Sequence, residues 1–195
     1  SNDNLRQIDL YFNDFISEKK IAGCSLLLWQ CGAERYTMFK GVQDLESGTP
    51  VSRDTIFRIY SMTKPVASVA LMMLWDKGHF DLDDPIARFL PNFNEMTLYC
   101  PDGNHVRATC KIKIRHILNH TAGFILPAFS EHPLRELYVS DGVNGSRSEG
   151  TLTEVIDRLA NKPLLFEPGT RWEYSMATDV VGRLIEVIDG RPFDT

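Results

Sequence analysis

At 195 residues with 43% hydrophobic content, the chain is long enough to bury a core, as one domain or two small lobes. A net charge of −5 gives no basis for binding nucleic acid or an anionic membrane, and no apolar run reaches the length of a membrane-spanning helix. The chain opens Ser1-Asn2-Asp3 without methionine, which reads as a trimmed start and is compatible with a removed signal peptide.

Leu5, Ile8, Phe12, Phe15 and Ile16 recur at helical spacing, so an amphipathic helix is expected from about Asn4 to Lys19, with its lysines at the C-terminal end. Gly23 to Gln30 then reads as a strand, Gly32-Ala33-Glu34 as a turn, and Arg35 to Lys40 as its hairpin partner. Cys24 and Cys31 fall in that one expected strand, seven apart. This is about 23 Å when extended, with the side chains on opposite faces, so the two cannot pair. Cys100 and Cys110 flank a turn-like Pro101-Asp102-Gly103-Asn104, where a bridge is conceivable but not demanded. No Cys-x-x-Cys is present, which removes zinc and redox readings. The cysteine usage favours a reducing compartment, so a cytoplasmic location is expected, or a periplasmic or secreted one if a signal peptide was removed.

After a turn-rich stretch comes Tyr60-Ser61-Met62-Thr63-Lys64-Pro65, containing Ser-x-x-Lys. If a helix starts at Ser61, three residues make nearly one turn, and hydroxyl and ammonium share a face. Serine suits a cap, and Pro65 is tolerated only in a first turn. Residues Val66 to Trp75 are apolar nearly all round, which predicts a buried helix stopping at Gly78. A serine hydroxyl must lose its proton as it attacks, and a lysine beside it can take that proton or supply charge that lowers the pKa of another base. Taken alone, Ser-x-x-Lys is more often a helix start with a solvated lysine.

Farther on, Asp81, Asp83 and Asp84 invite a metal reading, but calcium needs more oxygen ligands at loop spacing. Leu82 pointing inward and Asp84 capping a helix at Pro85 account for them better. His116 and His120 are four apart on an expected helix, as in zinc proteases, yet residue 117 is isoleucine where such sites carry glutamate. Packing at a helix end is the better account. Thr151-Leu152-Thr153-Glu154 is a capping box opening a helix through Leu159, and a last helix from near Met176 ends at Gly190.

Pro168-Gly169-Thr170-Arg171-Trp172-Glu173-Tyr174-Ser175 is the second candidate motif. With Ser61-x-x-Lys64, Phe80 to Pro85, Phe89-Leu90-Pro91, Ile114 to Phe124 and Gly190-Arg191-Pro192-Phe193, in that order over nearly the whole chain, it resembles the serine β-lactamase/penicillin-binding-protein superfamily. The branch is that of class C β-lactamases, D,D-peptidases and family VIII carboxylesterases. The resemblance implies that Ser61 is the acylated nucleophile, Lys64 its partner and Tyr174 the phenolic base, with no cofactor and no metal. It implies an α+β fold limited to the N-terminal part of that architecture: helix, two antiparallel strands, the Ser-x-x-Lys helix, then a mostly helical region. Residues 1–80 would belong to the α/β domain and 81–195 to the helical domain carrying the tyrosine.

The family's third motif, a Lys-Thr-Gly or His-x-Gly triplet on a C-terminal strand, is not found, and neither is the strand that supplies the second oxyanion donor. The chain is therefore expected to be an incomplete half, as a shortened chain, a proteolytic product or one piece of a two-chain molecule, and poorly active alone. Its sheet edge would pair with the missing C-terminal half or with another copy. Met176 stands where class C β-lactamases carry asparagine, which ranks a small-ester or small-amide hydrolase first, a D,D-peptidase or D-amino-acid amidase second and a β-lactamase third. A non-catalytic relative that binds penicillin or peptidoglycan, or serves as a scaffold, is the alternative of another class.

Overall fold

The computed structural model describes residues 2–195, leaving Ser1 of the expected trimmed start outside. They divide into two units, one ending at Ile59 and the other Tyr60–Thr195.

In the first unit, helix α1 (Asn2–Ser17) turns Leu5, Ile8, Phe12, Phe15 and Ile16 into a half-buried stripe, as their spacing predicts. Lys19 and Lys20 lie beyond its end rather than in its last turn, because Lys19 takes a left-handed conformation (φ 56°) that stops the helix. Strands β1 (Gly23–Gln30) and β2 (Ala33–Gly41) form an antiparallel pair running from Gly23↔Gly41 to Gln30↔Ala33, with an irregularity between Leu28 and Trp29. The two-residue turn is Cys31-Gly32, both at positive φ, as a tight hairpin requires. Cys31 thus sits in the turn and not in the strand, and Ala33 and Glu34 join β2 rather than the turn. Lys40 of β2 pairs with Asp9 of α1 at 3.0 Å.

In the second unit a 3₁₀ turn (Tyr60–Met62) leads into α2 (Thr63–Asp76). The short pair β3 (Thr97–Leu98) and β4 (Val106–Arg107) follows, and then the helices α3 (Ile114–Leu118), α4 (Leu134–Val139), α5 (Leu152–Ala160) and α6 (Ala177–Asp189). The fold is therefore mixed helix and small antiparallel sheets. One continuous core joins Leu71 of α2, Ile114 and Ile117 of α3, Val155 and Leu159 of α5, and Val180 and Leu184 of α6, with Phe93 and Phe124 edge-on at 5.9 Å. Burial of this kind is worth roughly 25 cal/mol per Å² of apolar surface and is the main force holding the helices.

Three expectations need correction. Helix α2 is not buried all round: only Ala67, Leu71 and Leu74 are, while Val66, Val69 and Met73 are 63%, 60% and 56% exposed. A run of apolar residues shows what a helix can bury and not which face has neighbours. Asp84 does not cap a helix. The 3₁₀ turn Ile86–Arg88 has Pro85 at its cap, and the Asp84 carboxylate accepts from the Asp81 N–H and pairs with Arg88. His120 lies outside α3 in a left-handed conformation (φ 58°), so it and His116 do not share a helix face. The capping box at Thr151 forms on both sides, and a left-handed Gly190 ends α6. All four cysteines are free thiols, so Cys100 and Cys110 are not bridged. Among the described residues no helix is long and apolar enough to cross a membrane, and no cluster of metal-binding side chains occurs.

Candidate active site

Ser61 does not open α2 but lies in the 3₁₀ turn before it. The turn opens at Tyr60, whose φ of 45° is costly for a residue with a Cβ, on the order of 1 kcal/mol or more. The Ser61 hydroxyl caps nothing. It is 2.8 Å from the Tyr174 hydroxyl, 113 residues away in sequence, and accepts at 3.5 Å from Lys64 Nζ. The ammonium also lies 4.9 Å from the centre of the Tyr174 ring. The structure thus brings together all three residues singled out from the sequence, and Pro65 sits in the first turn of α2.

Tyr174 is held by what surrounds it. Glu167 accepts from the backbone N–H groups of Thr109 (2.8 Å) and Cys110 (3.1 Å) and from the Thr109 hydroxyl, which fixes the start of the motif. At Gly169 (φ 88°) a Cβ would stand 3.0 Å from His116 Nε2, so this turn accepts only glycine without displacing the imidazole. The Gly169 N–H donates to the Thr121 carbonyl, Glu173 to His120 and Met176 to Ile125. The tyrosine therefore rides on an extended segment laced to residues 120–125.

His120 completes the support. Its Nδ1 accepts from the Ser175 N–H at 3.3 Å and lies 3.3 Å from the Ser175 hydroxyl, while its ring packs 5.0 Å from the Tyr174 ring. An Nδ1 that accepts requires a neutral ring with its proton on Nε2. Burial first, and the Lys64 charge second, push its pKa below the ordinary value, in agreement. Ser175 is 1% exposed, a buried polar group satisfied by this pairing.

The electrostatics favour a reactive phenol. Burial alone would raise Tyr174, but hydrogen bonding from Lys64 and Ser61 and the Lys64 charge outweigh it, and the net shift is downward from the ordinary phenol value. Asp179, in the first turn of α6, faces the same cleft as Ser61 and Lys64, and burial raises its carboxyl pKa against the pull of Lys64. Nothing in the sequence pattern marked Asp179, and the packing role expected of His120 takes its particular partners, Tyr174 and Ser175, from contacts formed only in the folded chain. The cleft has a volume of about 920 Å³ and is lined by Ser61 and Lys64 together with Leu126, Phe129, Arg135 and Arg147. It has the size and the apolar lining of a small-molecule site.

Residues 8–195 match the family model described as Beta-lactamase. The chain is 34% identical over 188 residues to Esterase EstB of Burkholderia gladioli, covering 95% of this chain and 46% of that protein. It is 32% identical over 178 residues to Acyltransferase calJ of Penicillium decumbens, covering 87% and 41%. Among solved structures, EstCE1, described as a hydrolase with promiscuous acyltransferase activity, is similar with a TM-score of 0.76 and 37% identity over 93% of this chain and 46% of that one. An octameric penicillin-binding protein homologue from Pyrococcus abyssi shares the fold, with a TM-score of 0.72 at 22% identity over 97% and 40%. The chain spans about half the length of the curated relatives it matches.

Proposed function

The chain belongs to the Beta-lactamase family, and from that membership we propose that it carries the acylating residues of a serine acyl hydrolase acting on small esters or amides. The observation that supports this reading most is the 2.8 Å contact between the Ser61 and Tyr174 hydroxyls, with Lys64 against both. Nucleophile, base and a cation that makes the base more acidic are within reach of one another.

In the proposed reaction Tyr174, as phenolate stabilised by the Lys64 ammonium, takes the Ser61 proton while Oγ attacks the substrate carbonyl. The new C–O bond turns the carbonyl oxygen into an oxyanion, for which the Ser61 N–H is one donor. Collapse breaks the bond to the leaving alcohol or amine, which takes the proton from the Tyr174 hydroxyl. Water, or an acceptor alcohol in an acyltransferase-like reaction, then attacks the acyl carbonyl and gives its proton to Tyr174. Collapse breaks the bond between the acyl carbon and Ser61 Oγ, which takes that proton back from Tyr174 and restores the Ser61 hydroxyl and the phenolate.

The name of Esterase EstB supports ranking ester hydrolysis first for this chain. Met176 is fully buried and cannot reach a bound lactam amide, which keeps the amidase or D,D-peptidase reading second and β-lactamase third. Efficient turnover is proposed to need a protein of the relatives' length, in which residues 1–80 and 81–195 would serve the α/β and helical domains. The edge of the β1–β2 pair would meet further strands of that protein or another copy. A cytoplasmic location is part of the same reading.

The test is incubation with a fluorophosphonate, followed by intact mass. One adduct on the parent and none on Ser61→Ala is the expected result, with little turnover of 4-nitrophenyl esters. An unlabelled parent, or equal labelling of both proteins, would overturn the assignment, and a scaffold relative would give the first of these.

A further inference from the structure

We propose that the cleft beside Ser61 takes an acyl substrate carrying an anionic oxygen group, carboxylate or phosphate, beyond an apolar segment, and that Arg135 and Arg147 recognise that group. The inference rests on the acyl-hydrolase reading and adds to it the class of substrate.

The distribution of cations carries it. Among the described residues of the second unit, eight of the fourteen lysines and arginines lie within ion-pair distance of a carboxylate. Three of the remaining six, Lys64, Arg135 and Arg147, line this one cleft. Of the other three, Arg158 donates to the Glu149 carbonyl and Arg171 stacks on the Phe166 ring. The single carboxylate lining the cleft is Asp179, pushed by burial toward its neutral form. A concave site lined by three cations and one carboxylate favours an anion in the ligand.

The two arginines are also placed for the task. Arg135 of α4 donates its Nε to the Pro127 carbonyl at 3.1 Å, which anchors the guanidinium and leaves its terminal nitrogens for a bidentate partner. Arg147 closes the turn Gly145–Arg147, whose backbone is fixed by Arg147 N–H to Asn144 and by the Ser148 hydroxyl, which accepts from Asn144 N–H at 2.8 Å. At Gly145 (φ 58°) a Cβ would come within 2.7 Å of Leu126 Cδ1, so the turn lies tight against the cleft wall. Leu126 and Phe129 supply apolar surface in the same cleft, suited to the carbon chain of the substrate.

The experiment uses the Ser61→Ala protein, which cannot acylate, and compares binding of dimethyl glutarate, monomethyl glutarate and methyl 4-phosphonobutanoate by ligand-observed NMR. An anionic ligand should bind about tenfold more tightly than the neutral diester, the scale of a charge-assisted pair, and the preference should shrink as salt is raised. The monoester outranking the phosphonate assigns a carboxylate, and the reverse order assigns a phosphate. Adding Arg135→Gln and Arg147→Gln should bring the preference near one, while Arg135→Lys with Arg147→Lys should keep part of it. No preference in the single variant, or a preference untouched by the glutamines, overturns the inference. A charge preference in a protein whose intact Ser61 is never phosphonylated overturns the acyl-hydrolase reading instead.

Discussion

Among the described residues, almost every buried apolar side chain lies in residues 60–195, where Leu71, Phe93, Phe124, Tyr138 and Leu184 belong to one or another wall of a continuous core. The described residues before Tyr60 bury only Met38 and Val51 and leave Leu27, Leu28 and Trp29 open on β1. A two-stranded hairpin with one helix is marginal as a free-standing element, whereas a set of helices around a shared core holds side chains to tenths of an ångström. The difference explains where the reactive geometry is found. Ser61, Lys64 and Tyr174 all belong to the unit with its own core, and their short contacts join segments that the core fixes. The first unit contributes none of the three.

Core substitutions test that contrast most strongly. Phe124→Ala should cost about 3–5 kcal/mol and take Ser61 labelling down with stability, because Phe124 lies in the segment to which the extended Tyr174 stretch is hydrogen-bonded. Met38→Ala should lower stability by less and leave labelling intact. Thermal denaturation read beside phosphonylation checks both, and loss of labelling in Met38→Ala would break the contrast.

A smaller effect separates charge from packing within the site. Phosphonylation depends on the Tyr174 phenolate, so its rate should rise with pH to a limb that lies below the ordinary phenol value, since the shift is downward. In Lys64→Gln the hydrogen bond and the charge are lost while burial, which raises the pKa, remains. The limb should then move to higher pH, and the rate at neutral pH should fall. An unmoved limb in the pH–rate profile would show that Lys64 does not set it. Least of all, Thr151→Ala removes a cap on α5 and should cost about 1 kcal/mol with labelling unchanged, read by denaturation and labelling together.

Much of this was legible in the chain, and the reason is local. The bounds of β1, the Thr151 box and the Gly190 stop depend on a few adjacent residues, and the Ser61–Lys64 spacing survives even though Ser61 sits in a 3₁₀ turn. Where neighbours decide, the pattern was silent or misleading. The exposed face of α2 looks in sequence like its buried stripe, and His116 and His120 keep helical spacing only if the chain stays helical, which it does not. Asp179, Arg135 and Arg147 reach the cleft from three separate stretches, with no spacing to announce them.

The central claim is that Tyr174 activates Ser61. The most direct measurement is the second-order rate of Ser61 phosphonylation in the parent and in Tyr174→Phe, which keeps the ring against Lys64 and His120 and removes only the hydroxyl. The account predicts a fall of about 10²–10⁴-fold, the contribution of a positioned general base, with the thermal midpoint preserved. Equal rates in two equally stable proteins would contradict it.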